Sequence, residues 1–362
     1  MTDGATFAIQ PNANPIPASE RAVRLENPGF GTVFTDHMAM IRYQAEKGWH
    51  DAQVTARGPL SLDPASAVLH YAQEIFEGMK AYRTPAGDAV LFRPDANAAR
   101  FRESARRMAM PELPDELFVG AVEALVNIDR DWIPAVEGGS LYLRPFMFAS
   151  EVFLGVKPSS EYLFLVIASS VGAYFKGGKD AVTVWVSSDY TRAAPGGTGA
   201  AKCGGNYAAG LIAQAQASEN GCDQVVFLDA VERRYVEELG GMNIFFVFDD
   251  GSMLTPPLGT VLPGITRASV MTMARDKGVE VREQLYSMED WRTDAASGRL
   301  KEVFACGTAA VITAIGEVRG TEHGFTIGNG GTGPVTRALR DELTGIQRGT
   351  RPDPYGWVKK VG

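Results

Sequence analysis

Three cysteines and four histidines are all that 362 residues contain of these types. Cys203, Cys222 and Cys306 are odd in number and widely spaced, which fits neither a disulfide framework nor a zinc site, so they read as reduced thiols. His37, His50, His70 and His323 do not pair at metal-ligand spacing, and no metal is expected. Long apolar runs are missing too: the longest candidate, 162–171, suits a buried strand and is too short for a membrane span. Residues 1–10 carry an Asp and no basic region ahead of an apolar core, so a cytoplasmic location is expected. Positive charge is in deficit, 35 Lys and Arg against 43 Asp and Glu for a net of -8. That argues against a surface that wraps nucleic acid, while a local basic patch for a small anion stays open.

What remains is an ordinary globular composition, 45% hydrophobic and 22% charged, on a chain longer than one compact core sustains. Two domains are expected. Residues 1–28, rich in Pro, Asn, Ala and charge, read as an irregular arm. A strand is expected at 34–43, then a helix opened by Asp63 as cap with Pro64 at its first position. Turn and strand follow at 74–83 with a hairpin partner at 89–93, then helices at 95–108 and 117–128 and strands at 140–148 and 161–168. The first half is thus α+β and the whole α/β. Glycine and lysine replace apolar residues at 172–180. The division is placed there: a first domain over 1–172, a flexible interdomain loop over 173–181, and a second domain over 182–362. In the second, strands are expected at 181–187, 224–229, 234–237, 242–249, 279–285 and 302–306, with helices at 207–220, 266–277 and 335–347.

The stretch Ala194-Pro195-Gly196-Gly197-Thr198-Gly199-Ala200-Ala201-Lys202-Cys203-Gly204-Gly205-Asn206-Tyr207 strings its glycines around one lysine. Small residues let the backbone approach a bound group, and apolar neighbours would favour the neutral, nucleophilic amine. A solvated lysine in a flexible loop is the other reading. Neither the glycine spacing nor the residue after Lys202 makes a nucleotide P-loop. Four further stretches have similarly double readings. Leu262-Pro263-Gly264-Ile265-Thr266-Arg267 is a phosphate cup at a helix start or simply a capped helix. Cys306-Gly307-Thr308-Ala309-Ala310 offers a hydroxyl and small residues at a strand end. The adjacent Glu237 and Glu238 should point one inward and one to solvent, and Tyr142 and Arg144 share a strand face.

In this order these stretches resemble the branched-chain-amino-acid aminotransferases, pyridoxal-phosphate enzymes of fold type IV. The likeness runs from Phe34-Thr35-Asp36-His37-Met38 through Phe76-Glu77-Gly78-Met79-Lys80, Leu91-Phe92-Arg93-Pro94 and Leu141-Tyr142-Leu143-Arg144-Pro145. It continues through Lys202-Cys203-Gly204-Gly205-Asn206-Tyr207 and Gly241-Met242-Asn243 to Phe304-Ala305-Cys306-Gly307-Thr308-Ala309. The resemblance implies that Lys202 forms a Schiff base with pyridoxal 5'-phosphate and shuttles the proton from the substrate Cα. It implies that Arg100, Thr308 and the backbone of Ile265 and Thr266 hold the phosphate. Glu238 would pair with the pyridine nitrogen, and Tyr207 would lie near the phenolic oxygen. The substrate pocket would comprise Phe30, Phe76, Tyr142, Arg144, Tyr174, Gly241 and Ala309, with Tyr71 contributed by the partner of a homodimer.

The implied reaction moves the amino group of leucine, isoleucine or valine to 2-oxoglutarate at a domain interface. Within the fold group a D-amino-acid aminotransferase or an aminodeoxychorismate lyase would share the lysine and phosphate cup; outside it stands a silent anion-binding protein. Two departures are visible. Gly241 lies where some members carry a hydroxyl residue, and Ala310-Val311-Ile312-Thr313 replaces a redox Cys-x-x-Cys, so no thiol switch is expected.

Overall fold

The computed structural model describes residues 6–172, 180–320 and 324–362. Among these the chain forms two units: 6–172 with Ala201–Gly204 and Gly345–Gly362, and 180–200 with Gly205–Thr344. The four residues around Lys202 and the C-terminal tail are therefore part of the first unit, although both follow residue 182. Tyr174 and most of the expected 173–181 loop lie outside the described residues.

The first unit carries a ten-stranded sheet. Its N-terminal arm holds β1 (Ala8–Ile9) and α1 (Ala18–Glu26). Then come β2 (Val33–Phe34), β3 (His37–Gln44), β4 (Gly48–Ala56), α2 (Ala67–Tyr71), β5 (Glu74–Phe76), β6 (Met79–Arg83) and β7 (Ala89–Phe92). Helices α3 (Pro94–Arg107) and α4 (Asp115–Ile128) and strands β8 (Ser140–Ala149) and β9 (Glu161–Val171) follow. The order is β1-β4-β3-β9-β8-β6-β7, closed at its edge by the C-terminal strand Val358–Lys360. Strand β9 is almost wholly apolar because both its neighbours and the helices cover it; its ladder with β8 runs from Ser140 opposite Val171 to Ala149 opposite Tyr162. On α4, Phe118, Val122 and Leu125 recur at helical spacing and are fully buried. Phe101 of α3 and Phe118 meet Phe164 of β9 at ring separations of 5.5 and 5.9 Å. Each such ring is worth roughly 1.5–3 kcal/mol of burial.

Two local expectations give way here. The arm is not irregular throughout: α1 forms, but none of its residues is buried, so no apolar stripe announces it. Asp63 does not cap a helix. Its carboxylate accepts the Ala65 N–H at 2.8 Å and its carbonyl the Ser66 N–H at 2.9 Å, making a turn that delays the helix to Ala67.

The second unit carries a nine-stranded mixed sheet. Its elements are β10 (Ala181–Ser187), α5 (Gly204–Glu219), β11 (Gln224–Leu228), β12 (Val236–Leu239), β13 (Asn243–Phe248) and β14 (Met253–Thr255). They continue with α6 (Ile265–Asp276), β15 (Val281–Glu283), α7 (Met288–Ser297), β16 (Leu300–Gly307), β17 (Val311–Arg319), β18 (Phe325–Thr326) and α8 (Pro334–Gln347), while the strand that closes the first unit's sheet is β19 (Val358–Lys360). Its order is β12-β11-β10-β17-β16-β13-β14-β15. The β10–β11 link through α5 joins parallel strands, as a helical crossover does. Strand β17, absent from the sequence reading, lies between β10 and β16, and the unexpected α7 is capped by Ser287, whose hydroxyl accepts the Asp290 N–H.

Candidate active site

In the first unit, β5 and α3 clamp the backbone of Lys202. Phe76 N–H donates to the Lys202 carbonyl at 2.9 Å, and Lys202 N–H donates to Ser104 Oγ at 2.9 Å. The Gly204 N–H donates to the Glu74 carboxylate, and a side chain at residue 204 would run into that carboxylate. The half-buried side chain of Lys202 lies with Nζ 4.8 Å from the Phe76 ring centre. Loss of hydration, reinforced by Arg100 and Arg144 and opposed by Glu77 and Tyr142, lowers the ammonium from 10.5 to about 8. An amine with that proton affinity is available as a nucleophile and base near neutral pH.

Arg100 and Ser104 stand one turn apart on α3, so the helix that anchors the lysine backbone also presents the arginine. Arg100 grips the fully buried Glu77 with both arms, Nε to Oε1 at 2.7 Å and Nη2 to Oε2 at 2.8 Å. Asn97 Nδ2 donates to the same Oε2 at 2.7 Å. This fork fixes the guanidinium plane. Glu77 was legible only as a letter of the Phe-Glu-Gly-Met-Lys motif; its role as the brace of Arg100 needed the coordinates.

Phe30, Phe76, Tyr142 and Arg144 come together. Phe30 packs edge-on against Tyr142 at 5.3 Å, and the Arg144 guanidinium sits 4.8 Å from the Phe76 ring and 5.5 Å from that of Tyr142. The Tyr142 hydroxyl occupies the space that a side chain on Gly78 would need. The Nε of Arg144 is buried and makes no hydrogen bond to any described residue. Tyr71 stands apart, its hydroxyl on the Leu154 carbonyl at 2.5 Å and its ring against Phe153. Tyr174 lies outside the described residues.

The second unit builds its own cluster around Glu238. Contrary to the expected alternation, Glu237 and Glu238 are both buried, at 7% and 3% exposure. Each has an internal polar partner: Thr260 Oγ1 donates to Glu237, while Glu238 Oε1 meets Arg192 Nη2 at 2.5 Å and accepts the Leu262 N–H at 2.9 Å. Burial raises the Glu237 carboxyl against the pull of Thr260 and Arg192. The glycine loop is tied from two sides. Arg192 donates to the carbonyls of Gly199 and Thr260 at 3.0 and 2.7 Å, and Asn206 exchanges bonds with Thr198 at 2.6 and 2.8 Å.

Helix α6 opens on Gly264, which provides no side-chain cap, and the space for a side chain there is filled by the Asn243 amide. Ile265 and the buried Thr266 form its first turn. Thr308 and Ala309 lie in the turn between β16 and β17. That turn ends at Val311 with φ 62°, a costly conformation for a β-branched residue. A Cβ on Gly241 would lie 3.7 Å from the Tyr207 ring, an ordinary contact, so space alone does not demand the glycine.

Comparison with known proteins agrees. The family model for amino-transferase class IV matches residues 74–318, and the chain belongs to this family of aminotransferases. A branched-chain-amino-acid aminotransferase of Mycolicibacterium smegmatis is 56% identical over 360 residues, covering 98% of each chain. The branched-chain-amino-acid transaminase 1 of Bacillus subtilis is 46% identical over 339 residues, covering 92% of this chain and 94% of its own. Among solved structures, the branched-chain amino acid aminotransferase from Escherichia coli superposes with a TM-score of 0.72 at 29% identity, covering 90% of this chain and 99% of that one. The enzyme of that name from Thermobaculum terrenum, solved in its pyridoxal-phosphate form, gives 0.70 at 25% identity over 90% and 98%.

Pyridoxal 5'-phosphate is the cofactor of this family. The donor set fits it. Within the first unit stand an amine lowered to about 8 and a braced arginine, groups of the kind that hold an aldehyde and a phosphate.

Proposed function

We propose that the chain transfers the amino group of leucine, isoleucine or valine to 2-oxoglutarate, giving branched-chain 2-oxo acids and L-glutamate. The observation that carries the proposal is the partly desolvated Lys202 amine set against Phe76, beside Arg100, Tyr142 and Arg144. In the loaded enzyme Lys202 would hold the cofactor through its aldehyde, and its Nζ would carry the proton that leaves the substrate Cα across to the cofactor carbon. When bound, the pyridine ring accepts the electrons that the departing Cα proton leaves behind. Glu238, buried on β12, would partner the ring nitrogen. The phosphate is assigned to Arg100, to Thr308 and to the first turn of α6 at Ile265 and Thr266. Tyr207 is assigned to the phenolic oxygen.

Phe30, Phe76 and Tyr142 form an apolar wall that favours a branched aliphatic side chain and excludes water. Arg144, with a buried Nε that lacks a partner among the described residues, suits a carboxylate, including the second carboxylate of 2-oxoglutarate. The family resemblance further assigns Tyr174 and the backbone at Gly241 and Ala309 to substrate binding. The chain works as two domains joined over 173–181, in the cytoplasm and as a homodimer. What supports the homodimer is the exposed apolar group of Leu69, Tyr71, Val152, Leu154 and Val156 around α2 and the loop after β8. A substrate panel tests the assignment: L-leucine, L-isoleucine and L-valine should all donate to 2-oxoglutarate. Turnover of D-alanine or aminodeoxychorismate alone would overturn it.

A further inference from the structure

Arg192 belongs to none of the groups assigned above. Its guanidinium is 5% exposed, and one nitrogen, Nη2, lies within 3.0 Å of three oxygens: Glu238 Oε1, the Gly199 carbonyl and the Thr260 carbonyl. The two carbonyls fix where the guanidinium sits. Leu262 N–H donates to the same Oε1 from a second direction, and Asn243 Nδ2 reaches Oε2 at 3.5 Å. The Glu238 carboxylate is therefore held by donors from three separate segments, which restrict its rotamer and favour its charged form.

A carboxylate 3% exposed cannot stay charged without such a partner. Other charged and titratable groups face the same region. Glu237, adjacent on β12, would disfavour a second negative charge. Arg267 and Cys306 both interact with this region, but the Cys306 thiol is pushed up to about 12 mainly by burial and stays neutral, and Arg267 is committed to the Pro256 carbonyl and Glu283 at 3.0 and 2.8 Å.

We infer that Arg192 is a positioning residue for the reaction: it holds Glu238 ionised and in one orientation, and through that carboxylate keeps the proton on the ring nitrogen of the cofactor. The inference rests on the assignment of Glu238 to that nitrogen. Without the guanidinium, Glu238 becomes the stronger base and draws the proton to itself, or is protonated from solvent; in both cases the ring nitrogen loses it. A role confined to bracing the loop carbonyls predicts something different, a looser loop around an unchanged ring nitrogen.

The test uses holoenzyme loaded with nitrogen-15-labelled pyridoxal 5'-phosphate, comparing wild type with Arg192→Met, Arg192→Lys and Glu238→Gln. In Arg192→Met the ring-nitrogen resonance should move toward that of unprotonated pyridine. Its kcat should fall by on the order of tenfold for each unit by which the proton affinity shifts, with the cofactor dissociation constant little changed. Arg192→Lys, which keeps a cation, should return part of both. Glu238→Gln should move the resonance in the same direction. A resonance that stays put in both Arg192 variants while Glu238→Gln moves it would reduce Arg192 to a structural brace and leave the Glu238 assignment standing. If Glu238→Gln leaves it unmoved, that assignment fails and the inference falls with it. Should Arg192→Met not fold, Arg192→Lys carries the same comparison.

Discussion

Lys202 shows how a side chain acquires chemistry from position. The same ammonium in water would hold its proton to about 10.4; here it lets go near 8 because it has lost hydration and meets Arg100. Two consequences can be measured on the cofactor-free protein. Labelling of Lys202 by an amine-selective reagent, followed peptide by peptide, should show its inflection at about pH 8, well below that of exposed lysines. Stability should also respond. The unfolded chain keeps the proton to higher pH than the folded one, so stability should rise as pH climbs from about 8 to 10.5. A fall over that window, with Lys202→Met showing the same fall, would contradict the lowered proton affinity. Glu77 is the second test at this scale. Glu77→Gln removes the charge that Arg100 holds, and breaking one side of such a buried pair costs about 3–5 kcal/mol. Thermal unfolding should come earlier and the cofactor should dialyse away more readily; unchanged values would show that Arg100 needs no brace.

At the level of elements, legibility followed periodicity. Helices α3, α4, α6 and α8 were expected within a few residues of where they lie, because their buried residues recur at helical spacing or because proline marks the start. Helix α1 buries nothing, so its sequence carries no stripe to read. Strand β4 is mostly half-buried and mixes Trp49, His50, Asp51 and Gln53, which blurs the alternation a strand needs. Strand β17 begins at a valine in a left-handed conformation, which propensity would not place there. The candidate site was legible where motifs were long, at Lys202 and its neighbours, and silent where support came from distant side chains such as Arg192, Ser104 and Asn97. The Ser287 cap offers a clean test of a missed element. Ser287→Ala should cost about 1 kcal/mol, read from denaturant unfolding, by exposing the α7 start. No change would mean the cap contributes nothing.

For the whole molecule, the net charge of -8 argues against a surface that wraps nucleic acid, and among the described residues no helix is long and apolar enough to cross a membrane. Leu154 and Val156, at 76% and 89% exposure, are the most exposed members of the apolar group on which the proposed homodimer rests. Sedimentation of Leu154→Asp should show a smaller species than the wild type; an unchanged dimer would place the subunit contact elsewhere. The most direct measurement of the central claim is reductive trapping. Borohydride treatment of the holoenzyme should fix the cofactor's mass on the peptide containing Lys202, and Lys202→Ala should lose both that mass and the visible absorption band. A trapped mass on another lysine, such as the buried Lys80, or a band that survives Lys202→Ala, would contradict the account.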